Sequence, residues 1–251
     1  MNLREIRPDL WLLEMIVPDF DVRGAVIVGR DRVLVWDTLT HPRDMEPVAQ
    51  LAQGKPITVV YSHSDWDHCW GTAGLKYDLI LAHEACAQRF KNGDVAKELA
   101  EKSAAEPGTF DAVKLCPPNL TFKGMVAIDL GDVTVELHYL PGHTDDCLVA
   151  FIPEWGVLLA GDTVELPLPY FSDDTGKWLD QWITQLEQWH NDTRVKMLIP
   201  SHGALEAPNQ IGRNLTYLRD LVAGREPSVP AEMTAFYTET HARNREIAKA
   251  R

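Results

Sequence analysis

Four apolar runs in this chain each end on a side chain that can bind a metal ion. ITVVYS runs into His63, which opens His-Ser-Asp-Trp-Asp-His over residues 63–68. VELHYLPG ends at His143, GVLLAG at Asp162 and KMLIPS at His202. Short β-branched runs bounded by Gly, Pro or Ser read as strands. A strand end fixes its side chain on a rigid sheet while the tip reaches a cleft, which suits a metal site. One strand-end histidine is an ordinary polar group. Four such ends in sequence, the first followed by two aspartates and a second histidine, demand a fold that brings four strand ends together.

Further strand-like runs are LWLLEMI (10–16), AVIVG (25–29), VLVWD (33–37), LILAH (79–83), MVAIDLG (125–131) and CLVAFIP (147–153). Between them lie helical-period stretches at 45–53, 83–91, 95–105, 178–190 and 209–224, and a polar segment from Pro230. Strands interleaved with helices give an α/β layered fold. We expect one domain over 1–251, with a helical insertion around 91–118 and a helical C-terminal segment at 230–251. The insertion is charged and broken by Pro107-Gly108, and reads as a solvated connection, with a lid over a site as the alternative. Trp178, Trp182, Ile183, Leu186 and Trp189 share one helical face, which reads as core packing.

Composition narrows the function. With 45% hydrophobic and 24% charged residues the chain reads as soluble and globular. It has no twenty-residue apolar stretch, and MNLREIRPDLWLLE lacks the basic-then-apolar layout of a secretion signal. Cys69, Cys86, Cys116 and Cys147 form no C-x-x-C pair, which suits a reducing cytoplasm. A net charge of −13 without a Lys/Arg cluster argues against nucleic acid and against an anionic membrane surface. A small-molecule substrate is the expected partner.

His63, Asp65, Asp67, His68, His143, Asp162 and His202 offer more ligands than one four-coordinate ion uses, and two ions could share Asp162. The ordered set H-x-D-x-D-H, PGHT, AGDT and PSHG, over roughly residues 8–225, resembles the metallo-β-lactamase-fold hydrolase superfamily. The resemblance implies an αββα sandwich of two packed mixed sheets flanked by helices, with metals in a groove along one edge. It also implies that His63, Asp65 and His143 hold one divalent ion, that Asp67, His68 and His202 hold the other, and that Asp162 lies between them. Asp37, ending VLVWD, would be a structural or supporting residue behind the ligands. Asp65 departs from the family pattern, where histidine is usual, and resembles the carboxylate of the flavodiiron branch. Carboxylate for imidazole adds one negative charge and a harder donor, so iron and manganese join zinc, the default, as candidate ions.

The reading that follows is a dinuclear metallohydrolase using a metal-bound hydroxide on a small ester, lactone or thioester. Asp67 would orient that hydroxide or shuttle its proton. Alternatives are a diiron or mononuclear-iron redox enzyme and a small-molecule phosphodiesterase. Tyr170 is a candidate substrate or oxyanion contact, and Glu165 is either a groove carboxylate or a partner to a ligand. Trp66 and Trp70 are expected to pack beneath the metal loop, and Cys69 to be a small buried residue. His41 could line the groove; His83, His138, His190 and His241 read as structural or exposed. Ser62, Ser64 and Ser201 lack a G-x-S-x-G elbow, which disfavours a serine nucleophile. Loops 18–24, 91–118 and 164–177 should set specificity, with Phe20 a substrate contact or a hairpin cap.

Overall fold

The computed structural model describes residues 1–17, 19–205 and 209–251; Pro18 of the expected 18–24 loop lies outside them. Among the described residues, strands β1 (Asn2–Arg7), β2 (Leu10–Ile16), β3 (Asp21–Val28), β4 (Val33–Trp36), β5 (Ile57–Val60), β6 (Leu79–His83) and β7 (Leu120–Phe122) lie side by side in chain order. The first four pair antiparallel and the last four parallel, so β4 belongs to both halves. The second sheet is β8 (Met125–Asp129), β9 (Thr134–Tyr139), β10 (Leu148–Ile152) and β11 (Val157–Gly161), antiparallel, closed by β12 (Met197–Pro200) parallel to β11.

Alternation along the strands builds the layers. In β4, Leu34 and Trp36 face the second sheet, while Val33 and Val35 face the opposite way. In β10, Leu148, Ala150 and Ile152 meet the first sheet, whereas Val149 and Phe151 turn to helices. The outer face of the first sheet packs on α1 (Glu46–Leu51), α2 (Trp66–Cys69), α3 (Glu84–Asn92) and α4 (Asp94–Ala105). The outer face of the second packs on α5 (Leu179–Asn191), α6 (Gln210–Val222) and α7 (Ala235–Lys249). This is the αββα sandwich of mixed sheets. Among the described residues no helix is long and apolar enough to cross a membrane.

The 91–118 segment is more than a solvated connection. Val95, Phe110 and Val113 bury against the first sheet's helical layer, and Phe110 meets Trp70 edge-on at 5.2 Å. Helix α4 thereby holds Glu98 and Lys102 beside the strand-end cleft.

Trp182 carries much of the second helical layer and supports two loops. Its indole is fully buried, its Nε1 donates to Thr163 O at 3.0 Å, and a Cβ on Gly142 would meet its ring at 2.2 Å. Trp182→Ala should therefore cost about 3–5 kcal/mol of unfolding free energy in denaturant titrations. A loss below about 1 kcal/mol, the ordinary range for peripheral sites, would mean that this indole is not a core element.

Candidate metal centre

The strand ends meet at one edge of the sandwich. From β5, Tyr61 and Ser62 lead to His63, and Asp65 directly precedes the one-turn helix α2, which places Asp67 and His68 inward. Asp162 directly follows β11, while His143 and His202 lie a few residues past β9 and β12. Leu148 N donates to Ser62 O at 2.8 Å and ties the two sheets where the ligands sit, while Ser201 N donates to Gly161 O at 3.0 Å within the second sheet.

Each imidazole is fixed through Nδ1. His68 Nδ1 donates to Asp37 Oδ2 at 2.9 Å, and His63 Nδ1 to Ser62 Oγ at 2.9 Å, which itself donates to Asp37 at 2.7 Å. His143 Nδ1 donates to Tyr170 O at 3.0 Å, and His202 Nδ1 to Asp21 O at 2.6 Å. All four Nε2 atoms are left to face the carboxylates. Asp65 Oδ2 lies 3.3 Å from His143 Nε2 and 3.6 Å from His63 Nε2. Asp67 lies 3.7 Å from His68 Nε2 and 3.6 Å from His202 Nε2. Asp162 is 3.1–3.7 Å from the Nε2 of all four. Donor atoms about 2.0–2.1 Å from a tetrahedral ion are separated by about 3.3–3.4 Å, so these gaps are the edges such a site needs.

Burial tests the fit. His63 Nε2, His68 Nε2 and Asp162 Oδ1 are buried with no hydrogen-bond partner among the described residues. Such atoms cost stability unless something satisfies them, and a divalent cation would. Three overlapping groups could hold one: His63, Asp65 and His143; His63, His68 and Asp162; Asp67, His68 and His202. Electrostatics agrees. Burial opposes protonation of His202, yet the Asp162 carboxylate outweighs it and raises the imidazole to about 10. Asp65 and Asp162, despite burial, are held well below the usual carboxylate range by the facing histidines. The centre attracts positive charge.

Above the ligands lies a cleft of about 390 Å³, with Phe20, Trp66, Tyr170 and Phe236 among its walls. Phe20 meets His202 edge-on at 4.9 Å and Phe236 at 5.1 Å. Tyr170 stacks on Phe236 at 6.1 Å, and burial raises its pKa from the ordinary value. Glu165 is buried at the cleft wall, accepting from Tyr237 Oη at 2.8 Å and Tyr170 N at 3.1 Å, and burial pushes it up to about 7. Trp70 is fully buried, but Trp66 lines the cleft with Lys102 Nζ 3.8 Å from its ring centre, correcting the expectation that both would pack underneath. Cys69 is buried and bonds Ser64 O. His41 stacks on Phe110 at 5.5 Å and does not line the cleft. His83 lies against Tyr139 at 3.8 Å, and His241 bonds Tyr217 Oη at 2.9 Å. Sequence reasoning missed Asp21, Arg89, Glu98 and Phe236, which no motif marks.

The profile described as metallo-beta-lactamase superfamily matches residues 19–202. The chain belongs to this superfamily. Within it, the chain is 26% identical over 184 residues to a metallo-beta-lactamase type 2 of Bacillus sp. (strain 170), covering 72% of this chain and 63% of that protein. It is 25% identical to a namesake from Bacillus cereus over the same shares. The chain thus spans less than two thirds of these relatives' length. Among solved structures, a metallo-beta-lactamase from Pontibacter korlensis aligns with TM-score 0.65 at 16% identity over 87% of this chain and 99% of that one. The stereoselective inverting sec-alkylsulfatase Pisa1 from Pseudomonas sp. aligns with TM-score 0.69 at 19% identity, over 88% of this chain and 42% of that one. At such identities the structural likeness concerns the superfamily's fold.

Asp37, at φ +58°, spends a rare backbone conformation to accept from Ser62 and His68 together. Removing such a support weakens metal binding about 10–100-fold. Asp37→Ala should show that loss in zinc competition against a chromophoric chelator, and wild-type affinity would refute the supporting role.

Proposed function

We propose that this chain is a dinuclear metallohydrolase acting on small esters, lactones or thioesters. The observation that carries the reading is the convergence of four Nδ1-anchored imidazoles and three carboxylates on one cleft floor. His63, Asp65 and His143 would hold one divalent ion, Asp67, His68 and His202 the other, and Asp162 would lie between. Zinc suits a donor set dominated by imidazole. When bound, such ions polarise a carbonyl oxygen and lower the pKa of water.

The chain's own residues divide the remaining work. Asp67, with its two oxygens toward His68 and His202, is placed to accept the proton lost by the attacking water. Tyr170 keeps its proton at neutral pH because burial raises its pKa, and its hydroxyl is the candidate donor to the developing oxyanion. Phe20, Trp66 and Phe236 provide apolar walls that exclude water around the substrate. Asp19 and Glu106, against Lys102 as the one lining Lys or Arg among the described residues, favour a neutral substrate over a phosphate or sulfate ester, while burial raises Glu98 to about 8 and leaves it largely uncharged. The names of the Bacillus relatives add β-lactams to the compounds worth assaying.

A second reading, redox chemistry at iron, draws on the hard oxygen donor of Asp65. Stripping the protein with a chelator should abolish hydrolysis of a responsive ester or lactone, and zinc should restore it. Hydrolysis that survives complete metal removal would end the hydrolase reading, and dioxygen consumption by the iron-loaded protein without ester turnover would replace it with the redox one.

A further inference from the structure

Among the described residues, Asp65 is the one proposed ligand with a cationic side chain on its far oxygen. Its Oδ2 faces His143 Nε2 at 3.3 Å and His63 Nε2 at 3.6 Å, while Oδ1 accepts from Arg89 Nη2 at 3.4 Å. Arg89 lies in the last turn of α3, where a cation is favoured by the helix dipole. The other arm of its fork reaches the 143–147 loop, with Nη1 3.4 Å from Asp146 Oδ1 and 3.7 Å from Asp145 Oδ1. Asp146 is fully buried and accepts from Thr144 Oγ1 at 2.7 Å, and Thr144 directly follows His143. One guanidinium therefore joins the loop carrying Asp65 to the loop carrying His143, which arise from different sheets.

The geometry points to Arg89 as a positioning residue for the first metal position, holding Asp65 and the His143 loop in one arrangement. One guanidinium shared by Asp65, Asp145 and Asp146 does not cancel the charge that Asp65 brings, so the arginine acts through geometry. The planar fork also fixes which oxygen turns to the ion, a job that a single ammonium does less well. Asp65 thus supplies an oxygen donor whose direction is set from behind by Arg89, as the Nδ1 contacts set the imidazoles. This inference rests on the metal-centre reading above.

The test is stepwise zinc binding to metal-free protein, followed by competition with a chromophoric chelator. Arg89→Gln should weaken one of the two zinc positions about 10–100-fold and leave the other within about threefold. Arg89→Lys, which keeps the charge and guards against a folding failure, should fall between wild type and Arg89→Gln. In an Asp65→His background, Arg89→Gln should cost clearly less zinc affinity than in the wild type, because only the tie to Asp146 is left to lose. Equal losses in both backgrounds would reduce Arg89 to a packing residue and overturn the inference, as would wild-type affinity in Arg89→Gln. If the wild-type protein takes up no zinc, both this inference and the metal centre beneath it fail.

Discussion

Four imidazole rings turn their Nε2 atoms toward one group of carboxylates because each ring is tied from behind. Asp37, Ser62, Asp21 O and Tyr170 O on the Nδ1 side hold the rings in that orientation. The ties come from separate parts of the fold: Asp37 closes β4, Asp21 opens β3, and Tyr170 sits on the loop after β11. Two packed sheets are what bring them together, so the sandwich and the centre depend on one another. Arg23 shows the same economy, donating to Pro200 O at 2.8 Å and to Gly203 O at 3.1 Å and so clamping the His202 turn onto β3.

The strands and ligands were legible because the chemistry is local in sequence. An apolar β-branched run followed by Gly or Ser and a ligating residue marks both a strand and the place where it delivers a side chain. The seven proposed ligands fall into three overlapping groups, and within each group the donor atoms lie within 4.8 Å of one another. The edge strand β1 was not legible, because NLREIR has charges where a core strand has apolar residues and is held by pairing to β2, with Arg4 bonded to Glu14 at 2.6 Å and 2.9 Å. The three-residue β7 is too short for a period to register.

The cleft walls were less legible for a different reason. Phe236 and Tyr237 come from α7, some seventy residues beyond the loop that they cover, as Tyr237 Oη on Glu165 makes plain. Asn244 of the same helix accepts from Phe171 N at 3.1 Å and donates to Pro169 O at 2.6 Å, so α7 holds the Tyr170 loop in place. Glu98 and Lys102 reach the cleft only because Val95, Phe110 and Val113 anchor the 91–118 segment. None of these residues carries a spacing signal. Their roles depend on long-range packing, and the opening stretch of charge in α4 reads as a solvated face until its neighbours are known.

The proposed centre would hold two ions that share Asp162. Elemental analysis of protein purified without added metal tests it most directly. About two metal ions per chain, chiefly zinc, is the expected result for a seven-donor set of this kind. A content near one, or protein with no bound metal that gains none from zinc solution, would contradict it.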